Sequence, residues 1–180
     1  MQDYALIQSN RLELDMTDTI DLVQLARTVV AQVRDRNLQR LFIVIADEEP
    51  LRVQCDAMRM QEVLTTLLMY AASCSTEGTI ITVRPQHEST EGSMLLSVQY
   101  EGSERHGEEH DHLFEPGYWL KQEPAHQKLE SGLSLYLSAE VIKLHGGRVW
   151  LEQQGRNYRL NVVLPTKPNV NHANDKILPL

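Results

Sequence analysis

The 180-residue sequence contains little of what secreted, membrane-bound or disulfide-linked proteins require. Its two cysteines, Cys55 and Cys74, form no CxxC pair and lie beside apolar segments, which is typical of structural residues. The longest purely apolar run, Leu41–Ala46, is far too short to cross a bilayer, so no membrane contact is expected of this segment. Met1–Asn10 lacks the basic and apolar regions of a secretory signal, and we therefore expect a cytoplasmic location.

Positive charge is also scarce. There are 17 Lys and Arg residues against 25 Asp and Glu, which gives a formal net charge of −8. Six of the acids fall between Glu101 and Glu115, where the one base is Arg105. Because such a surface repels a phosphate backbone, no nucleic-acid partner is expected. The content of 42% hydrophobic and 23% charged residues is typical of one soluble globular domain that buries a core without disulfides or metal.

The apolar spacing predicts three amphipathic helices. The first follows an N-cap at Asp21, and the second follows an N-cap at Asp56 and ends before Gly78. The third is predicted to begin at Gly132 and to end at the glycine pair Gly146–Gly147, which acts as a C-cap. The apolar residues of the third helix share one face: Leu133, Leu137, Val141 and Leu144.

Short β-branched and apolar segments between these helices predict strands. Leu41–Ala46 and Arg52–Cys55 flank a Glu49–Pro50 turn and together predict a hairpin. Arg11–Asp15 predicts a further short strand, after ten residues that are typical of the last turns of a longer helix. The remaining strands are predicted at 79–84, 94–100, 148–152 and 158–165, with Trp150 in the core.

The order of the elements indicates a two-layer α/β sandwich, with three helices against a mixed, mostly antiparallel sheet. The domain is expected to span residues 16–165. A helix end and short strand in residues 1–15 precede it, and a loose, proline-punctuated tail in 166–180 follows. Residues 101–131 show no sustained period, and a loop of that length in a compact domain is typical of a lid or binding loop.

Several segments carry a resemblance to a known family. Leu113–Trp119 (LFEPGYW) is similar to its F box, Gly132–Glu152 to its second glycine box, and Cys55–Val83 to its asparagine-box helix. Asn10–Leu22 is similar to the junction after its dimerisation hairpin. On these motifs the chain resembles the ATP-binding (HATPase, GHKL) catalytic domain of sensor histidine kinases, in the superfamily of gyrase, Hsp90 and MutL. The resemblance implies the Bergerat fold, a sheet with three helices on one face.

The resemblance also implies a set of nucleotide ligands, and most of these positions carry other residues here. The two asparagines of the family fall at Thr66 and Tyr70, and the second is the magnesium ligand. A phenol is a poor ligand for a hard cation that prefers carboxylate or amide oxygens. Tyr100 stands where the family has an Asp that accepts a hydrogen bond from the adenine amino group, and Gly102 alone remains of the first glycine box.

The second glycine box is altered in the same way. Glu130, Gly132 and Ser134 stand at its three glycine positions, with Leu133 between the last two. Glycine lets backbone amides close on phosphate at a helix N-terminus, and Glu130 adds a negative charge to that anion site. We therefore regard these positions as a vestigial ATP pocket and expect neither ATP nor magnesium nor another metal as a cofactor.

The expected function is that of a pseudokinase in bacterial two-component signal transduction, which acts through protein–protein contact. The expected partner is a response regulator or a partner kinase, with a homodimer through an upstream helix as a further expectation. No catalytic residue is assigned. The family phosphorylates a histidine on its dimerisation helices, and the first histidine of this chain is His87.

Two other functions stay open on the sequence. One is an active histidine kinase domain that binds ATP in an unusual mode through Gly102, Gly132 and the helix N-terminus. The other is a vestigial phosphotransfer protein, in which a helical hairpin outside this segment carries the phosphohistidine and the present shell docks a response regulator. Nucleotide binding distinguishes the active kinase from the pseudokinase.

Two local interpretations are also open. His110 and His112 could chelate a metal, although a solvated lid is the favoured interpretation because no helix or strand is predicted to fix their spacing. Tyr70 and Tyr100 either fill the vacated pocket or have drifted on a surface released from nucleotide binding. We favour filling, since aromatic bulk in an emptied pocket recovers buried area.

Overall fold

Three helices and seven strands make up the described part of the chain. A computed structural model describes residues 5, 7, 9, 11–36, 40–89, 92–103, 112–115 and 126–167. The helices are α1 (Leu22–Arg36), α2 (Ala57–Cys74) and α3 (His126–Leu144). The strands are β1 (Thr19–Asp21), β2 (Leu41–Val44), β3 (Arg52–Gln54), β4 (Ile80–His87), β5 (Ser93–Glu101), β6 (Arg148–Gln154) and β7 (Asn157–Pro165).

The main sheet has five strands in the order β2-β4-β5-β7-β6. β2 pairs with β4 in parallel, and the other three pairings are antiparallel. One face of the sheet carries buried apolar side chains that alternate along the central strands, as in Leu96 and Val98 of β5 and Leu160 and Val162 of β7. The helices pack on this face, so the predicted fold, three helices on one face of a mixed and mostly antiparallel sheet, is confirmed.

The predicted hairpin is wrong. β2 runs parallel to β4 at the edge of the main sheet, whereas β3 pairs with β1 in a separate two-stranded sheet, with Ile20 opposite Val53. Local turn signals favour a hairpin, but each strand buries one apolar residue more effectively against a distant partner: Phe42 of β2 is 2% exposed and Val53 of β3 is 1% exposed. Tertiary packing therefore overrides the turn signal.

The strand predicted at Arg11–Asp15 is also absent, and the pairing begins four residues later at Thr19. Asp15 explains the difference, because its carboxylate accepts hydrogen bonds from the backbone N–H of Thr17 at 3.1 Å and from its hydroxyl at 2.6 Å. Such side-chain bonds to a residue two positions ahead form a turn. The chain turns here before it pairs with β3.

The two predicted N-caps are confirmed. Asp21 accepts from the backbone N–H of Val23 at 3.0 Å, and Asp56 accepts from that of Arg59 at 3.0 Å. Asp21 also accepts from the N–H of Leu51 at 3.0 Å, which ties the start of α1 to the segment before β3. The apolar stripe of α2 is buried as expected: Met60, Val63, Leu64, Leu67, Leu68 and Ala71.

The start of α3 differs from the prediction, and its end agrees with it. The helix begins at His126, so Gly132 lies in its interior and the predicted loop is shorter than 101–131. At the other end Gly146 has φ +78°, and the N–H of Gly147 donates to the carbonyl of Ile142 at 2.9 Å. This is the Schellman arrangement that the glycine pair predicts.

The buried face of α3 is displaced from the predicted stripe. Of the predicted stripe, Val141 is buried, Leu133 and Leu137 are half-buried, and Leu144 is 45% exposed. Leu135, Ser138 and Ile142 are buried at helical spacing. The face that meets the core therefore includes a serine, which an apolar search passes over.

Trp150 lies on the outer face of the sheet and not in the core. Strand alternation turns its neighbours Val149 and Leu151 toward the helices, so Trp150 points away from them. Its indole N–H donates to Glu152 at 2.7 Å, and the Arg148 guanidinium lies 4.9 Å from its ring centroid. An offset of one residue in a strand exchanges its two faces, which explains the error.

The structural role predicted for the cysteines agrees with their environment. Both are free thiols; Cys55 is fully buried and Cys74 is half-buried. Burial, with smaller contributions from the charges of Asp56 and Asp18, raises the pKa of Cys55 to about 12. Among the described residues, no helix combines the length and apolarity that crossing a bilayer needs.

Candidate functional site

Thr66 and Tyr70 lie about one turn apart on α2, which packs against α3. Thr66 lines a small cavity between the two helices, of about 120 Å³, together with Ser134, Leu137 and Ser138. Tyr70 is half-buried and packs against the core. Thr66 thus faces the second glycine-box helix, and the cavity that the described residues form beside it is smaller than the roughly 300–1,000 Å³ of small-molecule pockets.

Tyr100 lies near the end of β5 and is 4% exposed. Its ring stacks on that of Tyr158, the residue directly opposite on β7, with centroids 5.2 Å apart and planes inclined by 11°. The Tyr158 hydroxyl donates to the carbonyl of Ser103 at 2.8 Å and accepts from the Gln153 amide at 2.9 Å. The ring beneath Tyr100 is therefore held in place.

Gly102 follows β5 and has a structural reason to be glycine. A Cβ at this position would lie 2.9 Å from the carbonyl oxygen of Cys74 and 3.2 Å from the Tyr158 ring. Its N–H donates to the carbonyl of Arg156 at 2.9 Å, and it forms a β-bridge with Ser75. Gly102 thus lets the end of α2 approach the β6–β7 turn, a packing requirement that is independent of any nucleotide.

Glu130, Gly132 and Leu133 all lie within α3. In an α-helix the N–H of each residue after the first turn donates to the carbonyl four residues earlier. The backbone amides of these three residues, being past the first turn from His126, therefore have partners inside the helix. They do not form the free helix N-terminus that the sequence resemblance implies.

The F box anchors one point of the loop. Leu113 is 1% exposed and belongs to the core, and Phe114 packs against that core. A turn holds this point, with the N–H of Glu115 donating to the carbonyl of His112 at 2.9 Å. The His112 ring nitrogen Nδ1 lies 2.9 Å from the Glu115 carboxylate. The other loop residues that the sequence singles out lie outside the described residues: His106, His110, Asp111, Tyr118 and Trp119.

A larger cavity of about 730 Å³ lies at the end of the sheet. Its lining residues include Tyr100 and Tyr158, together with Thr82, Gln99, Glu152 and Arg159. Its charged groups are already paired. Arg159 lies 4.0 Å from the Glu152 carboxylate, and with the Gln99 amide turned so that its oxygen faces Arg159, that oxygen accepts from the guanidinium at 2.9 and 3.0 Å. This groove therefore offers phosphate little free positive charge.

His145 is a buried polar residue that the sequence analysis missed. It is 3% exposed; its Nε2 accepts from the backbone N–H of Asp56 at 3.0 Å, and its Nδ1 lies 2.7 Å from the carbonyl of Val141. This pattern requires the neutral tautomer with the proton on Nδ1. Burial lowers the pKa of His145, against opposing effects of the Val141 bond and the Asp56 charge. No spacing rule in the sequence pairs His145 with Asp56.

The Tyr100–Tyr158 pair was missed as a pair but could have been found. Both residues sit on strands predicted from the sequence, and an antiparallel register through Val98 and Leu160 brings the two rings opposite each other. The family resemblance assigns no ligand to position 158, so a search for ligand positions passes over Tyr158.

Comparison with known proteins places this geometry in a family. Residues 55–168 match the model of the histidine kinase-, DNA gyrase B- and HSP90-like ATPases. The alginate biosynthesis sensor protein KinB of Pseudomonas aeruginosa is 29% identical over 156 residues, covering 86% of this chain and 25% of KinB. The sensor histidine kinase YkoH of Bacillus subtilis is 32% identical over 143 residues, covering 79% of this chain and 30% of YkoH. The chain thus spans at most about a third of these relatives.

Solved structures give the same fold. The catalytic domain of histidine kinase ThkA superposes with a TM-score of 0.71 at 24% identity, covering 87% of this chain and 98% of that domain. ThkA in complex with the response regulator protein TrrA gives a TM-score of 0.71 at 23% identity, covering 93% of this chain and 47% of ThkA. With the family model matching more than half of its length, the chain belongs to the histidine kinase-, DNA gyrase B- and HSP90-like ATPase family, and its relatives within that family are sensor histidine kinases.

Proposed function

We propose that this chain is a degenerate histidine-kinase ATPase domain, a pseudokinase that binds ATP weakly or not at all and signals by docking to another protein. One observation carries the proposal: the glycine-box segment Glu130–Leu133 lies inside α3. Phosphate binding at a helix N-terminus depends on backbone N–H groups without intrahelical partners. The amides of this segment have such partners, and Glu130 adds negative charge to it.

The adenine end of the pocket supports the same proposal. Tyr100 carries a phenol where the resemblance implies a carboxylate, and its ring is buried against Tyr158. To accept from an adenine amino group, a residue at this position needs a free acceptor in an accessible pocket. The stacked pair places buried ring carbon at one side of the cavity of about 730 Å³ that both tyrosines line, which supports the interpretation of Tyr100 as a filling residue.

The metal end supports it as well. Thr66 and Tyr70 present a hydroxyl and a phenol, whereas magnesium in phosphate sites is held by harder carboxylate or amide oxygens. The cavity beside Thr66 holds about 120 Å³. The residues present therefore do not fit an ATP–magnesium complex.

The combined effect can be estimated. A lost buried hydrogen bond costs about 1–3 kcal/mol, and a lost metal that neutralises phosphate costs several more. Together these changes correspond to a loss of roughly 10³-fold or more in affinity. An ordinary micromolar nucleotide site would thus be reduced to millimolar affinity or weaker.

We propose a response regulator, or a partner kinase, as the protein to which this domain docks in the cytoplasm. The structure of ThkA with TrrA is a precedent in which a protein of this fold meets a response regulator. Docking requires a stable folded shell, and the described residues form one: the helices cover one face of the sheet with a buried core, and the caps of α1 and α2 and the F-box turn are formed. A homodimer through an upstream helix remains part of the proposal.

Isothermal titration calorimetry with ATP, with and without magnesium, tests the nucleotide part. We expect no binding heat at about 1 mM nucleotide. A matched variant that restores three family residues, Thr66→Asn, Tyr70→Asn and Tyr100→Asp, separates the ligand positions from the backbone of α3. Because that helix still encloses the phosphate amides, we expect the variant to gain little affinity.

Micromolar, magnesium-dependent binding by the unmodified chain would refute the proposal and favour an active kinase domain. The docking part has its own measurement, which is titration of ¹⁵N-labelled protein with purified response-regulator receiver domains. Saturable shifts at micromolar receiver support docking. If none of the receiver domains of one organism causes such shift changes, the docking role is overturned. If ATP also gives no binding heat, no proposed activity remains.

A further inference from the structure

His145 connects the end of α3 to the start of α2. Its ring accepts from the Asp56 N–H through Nε2 and meets the Val141 carbonyl through Nδ1, at 3.0 and 2.7 Å. Only a neutral ring can make both bonds, because a protonated ring carries N–H on both nitrogens. A protonated Nε2 would face the Asp56 N–H, donor against donor.

Asp56 in turn holds two further groups with its carboxylate. Oδ1 accepts from the backbone N–H of Arg59 at 3.0 Å, which caps α2. Oδ2 accepts from the backbone N–H of Asp15 at 3.0 Å. The residue that the imidazole contacts is therefore also the residue that attaches the chain ahead of β1.

The N-terminal segment, defined here as residues 11–18, has two other attachments to the same region. The Gln54 side-chain amide donates to the carbonyl of Met16 at 2.7 Å, and the N–H of Cys55 donates to the carbonyl of Asp18 at 3.1 Å. Both lie closer to β1 than Asp15 does. The Asp56 bond is the described hydrogen bond that holds the outer end of the segment to α2.

We propose that His145 is an acid-sensitive latch for the N-terminal segment. In the neutral state the ring accepts from the Asp56 backbone, and the Asp56 carboxylate is free to hold the Asp15 amide. When Nε2 takes up a proton, the nearby Asp56 carboxylate becomes its acceptor, because a charge-assisted bond outcompetes a bond to a neutral amide. The Asp15 amide is then released, and the outer end of the segment detaches.

Other charged groups on the surrounding elements shape this response. The N-terminal segment contributes Asp15 and Asp18, the start of α2 contributes Asp56 and Arg59, and Lys143 precedes His145 on α3. The Asp56 charge favours the protonated ring, whereas burial disfavours it. The net effect lowers the pKa of His145, so release occurs at a lower pH than an ordinary histidine would give. The latch involves none of the nucleotide-pocket residues and is independent of the proposed docking role.

Hydrogen exchange and NMR on the whole chain test the latch. The amide exchange rate of Asp15, corrected for intrinsic chemistry, is measured between about pH 7.5 and about pH 5, while the ¹⁵N shifts of His145 report its protonation. We expect protection of the Asp15 amide to fall about tenfold or more with the same midpoint as the ring. The Arg59 amide is the internal reference, because α2 stays capped.

Two variants sharpen the experiment. His145→Gln keeps a neutral acceptor and a neutral donor, so Asp15 protection is expected to lose its pH dependence. His87→Gln is the matched control: His87 is exposed, 3.3 Å from the Glu48 carboxylate, and its replacement should leave the response unchanged. If His145→Gln does not fold, Asp56→Asn retains the cap but offers Asp15 an NH₂ group, and Asp15 should then exchange rapidly at every pH.

Three results would overturn the latch. The first is Asp15 protection that stays constant while His145 titrates. The second is the same pH dependence in His145→Gln as in the unmodified protein. The third is a His145 ring that stays neutral until the whole domain unfolds, because release of the N-terminal segment is then the same event as global unfolding.

Discussion

Replacing both tyrosines of the Tyr100–Tyr158 stack should reveal a coupling that neither single replacement shows. Each is buried to 4% exposure, and their parallel rings lie 5.2 Å apart. Replacing either by leucine removes ring volume from the core at a cost of about 2 kcal/mol. Stacked aromatic pairs contribute a further 0.5–1.5 kcal/mol beyond buried area, so we expect a coupling of about 1 kcal/mol.

The assay is urea unfolding of the four proteins in the double-mutant cycle, followed by tryptophan fluorescence and by circular dichroism. The control is a second cycle that combines Tyr100→Leu with Tyr158→Phe. That cycle removes the hydroxyl bonded to Ser103 and Gln153 but keeps the ring, so the two losses should add to within about 0.3 kcal/mol. A coupling near zero in the leucine cycle would refute the view that the two rings form one packed unit.

Three further predictions concern packing and titration. Gly102→Ala should lower the free energy of unfolding by about 2 kcal/mol, because the added Cβ would lie 2.9 Å from the Cys74 carbonyl oxygen. Gly78→Ala is the control: the site has open space but φ +79°, so the loss should be only about 1 kcal/mol. Equal losses in urea unfolding would contradict the steric reason. Burial lowers the pKa of His145, so the unfolded chain binds the proton more readily than the folded chain does. The contribution of His145 to the free energy of unfolding should therefore be complete above pH 6.5 and decline as the pH falls below it. Chemical denaturation measures this decline, and His145→Gln should remove it. Burial raises the pKa of Cys55 to about 12, so the free energy of unfolding should decline from pH 9.0 upward. A thiol reagent followed by mass spectrometry should label Cys74 before Cys55, because Cys55 is buried. Faster labelling of Cys55 would show that it is accessible.

Much of the fold follows from local patterns in the sequence. Asp21 and Asp56 precede apolar residues at helical spacing, and the structure uses both as caps. The Gly146–Gly147 pair predicts the Schellman end of α3 because only glycine adopts positive φ at low cost. These features are decided within a few residues, which is why a linear pattern captures them.

The errors arise where distant residues decide the outcome. Leu41–Ala46 has no local signal for a parallel partner in β4, and the nearby turn favours a hairpin that does not form. Trp150 has the size of a core residue, but the register of β6 against β7 places it on the other face. The start of α3 at His126 was missed because its first turns carry no sustained apolar period.

The candidate site divides in the same way. The residue types at Thr66, Tyr70 and Tyr100 are visible in the sequence, and so is the chemistry they lack. The stack on Tyr158 and the packing role of Gly102 depend on three segments meeting at one point, and no single segment encodes them.

Because α3 begins at His126, binding of an anion at the Gly132 amide would disturb the helix. The residues from His126 to Ser131 form about one and a half turns of helix ahead of Gly132. Any anion that reached the Gly132 amide at high concentration would first have to unwind those turns, because each amide it captures must leave a carbonyl partner. Saturation with phosphate or polyphosphate would then be accompanied by a loss of helical circular dichroism, the reverse of the ordering that ligands usually bring.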